Sequence, residues 1–164
     1  MERMSVYDLK SEQEWQAILD EISKRLGMPA ALMDEKNVIL QHSGTRNDLC
    51  LAVRGNDHSR STICGASQQF LAQQAWSSGE PVIDVCEAGI CKFVLPLGGP
   101  DRPVGTLTAC GSCSRTEDIE DEMVQLNLPM EDEALASLKA QVPTLQVEDM
   151  KAYVDDLFRR IRAA

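Results

Sequence analysis

The stretch from Val82 to Cys113, VIDVCEAGICKFVLPLGGPDRPVGTLTACGSC, constrains this chain more than any other. Cys91 to Leu97 is mostly apolar and Val104 to Cys110 alternates roughly with period two, so both read as strands. Gly98-Gly99-Pro100-Asp101-Arg102 supplies the reversal, because glycine accepts positive φ and proline fixes its own. If the turn centres near Pro100, antiparallel partners have numbers summing to about 200. Cys91 is then expected opposite Cys110, and Cys86 opposite Cys113. Four thiols would meet at the open end of one hairpin. A one-residue slip or a bulge would redistribute them between the two faces.

The flanking sequence supplies the other layers. After a lead-in over residues 1–10, Ser11-Glu12-Gln13-Glu14 forms a capping box. Trp15, Ile18, Leu19, Ile22 and Leu26 then follow at helical spacing, and Gly27 before Met28-Pro29 closes the helix. Ala30 to Met33 and Val38 to Gln41 flank Asp34-Glu35-Lys36-Asn37, a β-hairpin signal. From His42 to Gly65 the pattern fades into polar residues, with a short helix near Leu49 to Val53. That segment reads as a binding loop carrying Cys50, Cys64 and two exposed histidines, His42 and His58. A helix from Ser67 to Gly79 leads through Pro81 into a strand over Val82 to Val85.

Residues 116–164 read as helical. Thr116 caps Glu117 to Leu126, Leu128-Pro129 breaks it, Glu131 to Gln141 follows, and Val147 to Ile161 comes after Pro143. In the last helix Met150, Val154, Leu157 and Ile161 make a heptad-like seam, which serves either a homodimer or the domain's own core. The expected architecture is one α+β domain over residues 1–164, an antiparallel sheet flanked by N- and C-terminal helices.

Charge and composition remove several functions. A net charge of −10 argues against nucleic acid, which needs clustered Lys and Arg. No apolar run reaches the roughly 18 residues a membrane span needs. The acidic N-terminus does not read as a signal peptide, so a cytoplasmic location is expected. In that reducing setting the six cysteines are better read as buried, metal-bound or redox-active than as structural disulfides. No enzyme is expected. Gly98-Gly99 lacks the Lys-Ser/Thr of a phosphate loop, and a nucleophilic pair of Cys50 with His42 or His58 rests on co-presence alone.

Thiol spacing is the remaining chemical signal. Cys110-x-x-Cys113 suits chelation by one metal, Cys86-x4-Cys91 is a looser pair, and Cys64 stands before a helix. Thiolates suit an iron–sulfur cluster or zinc. The cluster is preferred, because a core of this size needs no metal to fold. A metal-free thiol switch and inert buried thiols are the other readings.

The motifs also resemble a known family. Gly79-Glu80-Pro81, Cys86-Glu87-Ala88-Gly89-Ile90, Phe93-Val94-Leu95-Pro96-Leu97 and Gly105-Thr106-Leu107 are similar to the PocR sensory domain, as are Leu126-Asn127-Leu128-Pro129 and Val142-Pro143 before the final helix. The resemblance implies a PAS-like fold and a ligand-sensing role in prokaryotic signalling proteins. Small hydrocarbon derivatives are the proposed ligands, and an output domain or partner protein is the recipient. Cys64 and Cys86 match the family's recurring cysteines. Glu87 stands where the family usually has histidine, and Cys91, Cys110 and Cys113 are additions to its pattern. The expected site is therefore Cys64, Cys86, Cys91, Cys110 and Cys113 around a pocket between the sheet and the 42–65 segment, holding a small molecule or a cluster. The competing expectation is a standalone cytoplasmic metal-binding or thiol-redox protein without an output domain.

Overall fold

The computed structural model describes residues 3–163. Its elements in order are α1 (Val6–Leu9), α2 (Glu12–Leu26), β1 (Ala30–Asp34), β2 (Ile39–Ser43), α3 (Asp48–Arg54), α4 (Asp57–Ser59), a π-helix (Arg60–Gly65), α5 (Ala66–Ser78), β3 (Val82–Val85), β4 (Cys91–Gly98), β5 (Pro103–Ser112), α6 (Asp121–Asn127), α7 (Asp132–Ala140) and α8 (Val147–Ala163). The five strands form one antiparallel sheet in the order β2-β1-β5-β4-β3. This is the expected α+β class. Because β2 and β3 occupy opposite edges, the chain between them must cross the sheet, and α3, α4, the π-helix and α5 make that crossing.

The N-terminal helix follows from its caps. The Ser11 hydroxyl accepts the Glu14 N–H while the Glu14 carboxylate accepts the Ser11 N–H, and Gly27 ends α2 at φ 67°. Trp15, Leu19 and Ile22 then turn onto one face of the sheet with Met150, Val154 and Leu157 of α8. The α8 seam is therefore spent on the domain's own core, since Met150 and Val154 are fully buried. The reversal at 99–102 is centred where expected, with Gly99 and Arg102 exchanging backbone hydrogen bonds.

The hairpin register differs from expectation by one residue. Gly98 pairs with Pro103 but Leu97 with Gly105, so Val104 is an extra residue on β5. Lys92, not Cys91, therefore stands opposite Cys110. The slip sends Cys91 to the face that carries Phe93 and Leu95. A second bulge at Gly111, φ 132°, pairs Cys91 with Ser112. Cys86 does not reach Cys113 either. It opens a tight turn in which its N–H donates to Ile90 O, while Cys113 bridges to Thr144.

Two further expectations change. The 42–65 segment is largely helical, and α1 forms inside the expected lead-in through a capping box between Ser5 and Asp8. The expected 117–126 helix is a 3-10 turn over Thr116–Asp118 followed by α6.

Candidate functional site

The face of the sheet away from α2 and α8 closes over a cavity. Its floor is Ala31 and Met33 of β1, Thr108 and Cys110 of β5, and Lys92 of β4; its walls come from α3, the π-helix, α5 and the Cys86 turn. The enclosed volume is about 70 Å³, several times the roughly 10–15 Å³ that one water needs on this measure. Period-two alternation accounts for the floor. Residues flanking these along the same strands, Leu32, Phe93 and Leu107, belong to the helix-packed core.

Four cysteines reach this cavity from four places in the chain: Cys50, Cys64, Cys86 and Cys110. Cys50 sits in the first turn of α3, where Asn47 is the N-cap and accepts its N–H at 2.9 Å. The Asn47 amide also donates to Gly111 O at 2.7 Å and to the Cys50 thiol at 3.3 Å. One side chain thus moors α3 to the bulge beside Cys110. Cys64 lies in the π-helix, a segment type frequent at functional sites. The Arg54 guanidinium nearby favours its ionised form.

The Cys86 turn needs glycine at position 89. Gly89 has φ 81°, and a Cβ there would come within 2.2 Å of Asp118 O. Cys86 is anchored further by its neighbour, whose N–H donates to Ser67 Oγ at 3.0 Å, while Ser67 Oγ donates to Ile63 O at 2.6 Å.

Of the five cysteines singled out in the sequence, Cys64, Cys86 and Cys110 share the cavity. Cys91 packs in the core with α2 and α8, and Cys113 in a cluster with Leu49, Val124 and Leu135. Cys50 is the participant that sequence reasoning left aside. The signal was Asn47 three residues before it, an N-cap pattern that starts α3 and puts Cys50 in its first turn without saying which surface that turn meets.

The electrostatics of the cavity oppose those of the chain. Arg46, Arg54 and Lys92 line it and, among the described residues, no carboxylate does, although the chain carries a net charge of −10. Burial pushes the Cys50 thiol up to about 12 and Cys86 to about 11, with neighbouring thiols adding to both. Cys64 is also raised by burial, opposed by the Arg54 charge. These shifts run opposite to those of an activated nucleophile, whose thiol is acidified, and so do not support a Cys50 enzyme. Among the described residues, no three His, Cys, Asp or Glu side chains are placed to hold one metal ion.

No helix among the described residues is long and apolar enough to cross a membrane. None of the curated proteins matches the chain. The family model of the sensory domain found in PocR matches residues 8–162, which covers both faces of the sheet and every element lining the cavity. The chain belongs to the PocR sensory-domain family, and with it to the domains that serve signal transduction by sensing.

Proposed function

We propose that the cavity is the sensing site and that Cys50, Cys64, Cys86 and Cys110 hold an iron–sulfur cluster there. The observation that carries this reading is the convergence of four thiols on one cavity with three cations and, among the described residues, no carboxylate. Four thiolates are the usual ligand set of such clusters. A thiolate-bound cluster brings negative charge, which Arg46, Arg54 and Lys92 would offset. Zinc would need three or four ligands around one ion, and no such group stands among the described residues.

A bound cluster would supply electron-transfer chemistry or reactivity toward oxidants. The chain's own part is to bind and shield it. Because burial holds Cys50, Cys64 and Cys86 protonated, loading requires them to release protons, and loading should strengthen with rising pH. A change of occupancy would act on the Cys86 turn and the π-helix, which Ser67 ties together. Beyond that turn, the Glu120 N–H donates to Ala88 O at 2.8 Å, giving the C-terminal helices a direct link to the site. Those helices are the proposed route to an output domain or partner protein, by shifting a two-state packing.

The test is purification without oxygen, followed by absorption spectroscopy with iron, sulfide and zinc measured on one sample. Iron and sulfide in matched amounts, lost in Cys50→Ser and Cys110→Ser and kept in Cys91→Ser, are expected. A colourless, iron-free protein after reconstitution would remove the cluster. Stoichiometric zinc would make the site structural.

A further inference from the structure

Lys92 is 5% exposed and lines the cavity, yet among the described residues it has no ion-pair partner. Its cross-strand neighbour on the edge strand, Asp84, accepts the Val85 N–H at 2.7 Å and makes no ion pair with it. Burying an ammonium without a counter-charge is costly. Arg46 and Arg54 add positive charge on the same lining, where no carboxylate of the described residues stands. A second unmet demand lies further along the floor. Gln68, also 5% exposed, donates through Nε2 to Thr106 Oγ1 at 3.2 Å and Asn37 Oδ1 at 3.1 Å, but its Oε1 is buried without a donor. Lys92 is level with Cys110, and Gln68 is held over Thr106, four residues along β5, roughly 13 Å of strand.

We infer that the cavity takes a small organic carboxylate bearing a hydroxyl or amino group, its carboxylate held by Lys92 and its donor by Gln68. The ammonium without an ion pair and the amide oxygen without a donor define the ligand by complement. The ammonium asks for an anion, and the amide oxygen asks for an O–H or N–H. Arg46 would contribute longer-range attraction to the same charge. This inference rests on the cavity being the sensing site, and it applies to protein whose thiols hold no cluster, since a cluster would claim the same space and the same Lys92 charge.

The experiment is calorimetric titration of the protein, its iron content measured beforehand, with carboxylates of two to six carbons bearing a hydroxyl or amino group at the end away from the carboxylate, so that the series varies the spacing between the two groups. The matched unsubstituted carboxylates and the matched neutral alcohols serve as comparisons. At least one substituted acid is expected to bind about tenfold tighter than its unsubstituted counterpart, since the plain acid leaves Oε1 unmet. Gln68→Met should erase that ratio, and Lys92→Met should weaken both acids about tenfold or more. The wild-type comparisons stand alone should either variant fail to fold. Equal binding of alcohol and acid would overturn the anion, equal binding of the two acids would overturn the donor, and no binding across the series would overturn the inference entire. Iron-free protein that binds the hydroxy acid would sustain this inference while removing the cluster. Iron-free protein blind to every carboxylate that takes up iron and sulfide on reconstitution would do the reverse.

Discussion

The two faces of the sheet are built from the same strands and do opposite things. In β4, Phe93 and Leu95 point to α2 and α8 and are fully buried among apolar neighbours, while Lys92 points to the cavity. On the helix face, long amphipathic helices seal a continuous core. On the cavity face, α5 packs a smaller apolar cluster around Leu71, Trp76 and Val94, while the short helices and the π-helix leave a space lined by apolar side chains, thiols, cations and hydroxyls. Close packing with favourable rotamers makes one face stable, and incomplete packing leaves the other able to take up a ligand. Alternation along a strand is the device that keeps the two requirements apart.

The largest expected effect tests that division directly. Phe93→Ala removes a fully buried ring from the sealed face and should cost about 3–5 kcal/mol of unfolding free energy. Cys110→Ala, on the cavity face, enlarges an existing void and should cost less than about 1 kcal/mol. Denaturant midpoints at unchanged slope would measure both. Equal costs would mean that the cavity face packs as tightly as the other and that the contrast is false.

The cysteines sharpen the comparison at smaller magnitude. Cys91→Ser puts a hydroxyl into an apolar core and should cost about 1–3 kcal/mol, with any bound iron retained. Cys50→Ser should leave stability near that of the parent and abolish iron binding. Loss of iron from Cys91→Ser with its fold intact would place that residue among the ligands after all.

Much of this was legible in the residues. The Ser11 to Glu14 capping box, the Gly27 stop and the strand over Val82 to Val85 stand where local chemistry puts them, because each depends on side chains within a few positions. The thiol set was only partly legible, since it depends on register. The turn at 99–102 is correctly placed, but the Val104 bulge moves the pairing by one and exchanges Cys91 for Lys92 opposite Cys110. Nothing local marks Val104 as a bulge. Cys50 was hidden for another reason. It reaches the site through a tether from Asn47 to Gly111, 64 residues apart, and a contact at that separation leaves no periodic trace.

Alkaline titration reaches the cavity thiols, beside Cys91, Cys113 and Tyr153, which burial also raises. A free thiol has an ordinary value of 9.0, and burial holds Cys50 near 12 and Cys86 near 11. Between those limits the unfolded chain gives up protons that the folded chain keeps, so stability falls as pH rises above about 9 and is unaffected by these thiols below it. The slope should reach at most about 1.4 kcal/mol per pH unit for each thiol. The fall should shrink in the Cys50→Ser, Cys86→Ser double variant of the metal-free protein. An unchanged profile in that variant would mean that the thiols ionise as freely folded as unfolded.

The smallest effect belongs to the rim of the helix face, where α8 is latched to α2. Arg160 donates two hydrogen bonds to Glu21, at 2.7 and 3.1 Å, and Tyr153 Oη donates a third. The Arg160 guanidinium holds the Glu21 carboxyl below its ordinary 4.5. Its contribution is therefore present above that pH and lost as pH falls through the lowered value. Both partners are close to half exposed, so water and salt screen the pair, and Arg160→Met should cost about 0.5–1 kcal/mol. In this variant the acid limb of the stability profile should flatten, while the share of the alkaline limb set by Cys50 and Cys86 stays as in the parent. That separation follows from the sheet standing between latch and thiols. If Arg160→Met still moved the alkaline limb on a Tyr153→Phe background, where the latch tyrosine no longer titrates, the two faces would be coupled through the sheet, and α8 would become the first place to look for the signal's exit.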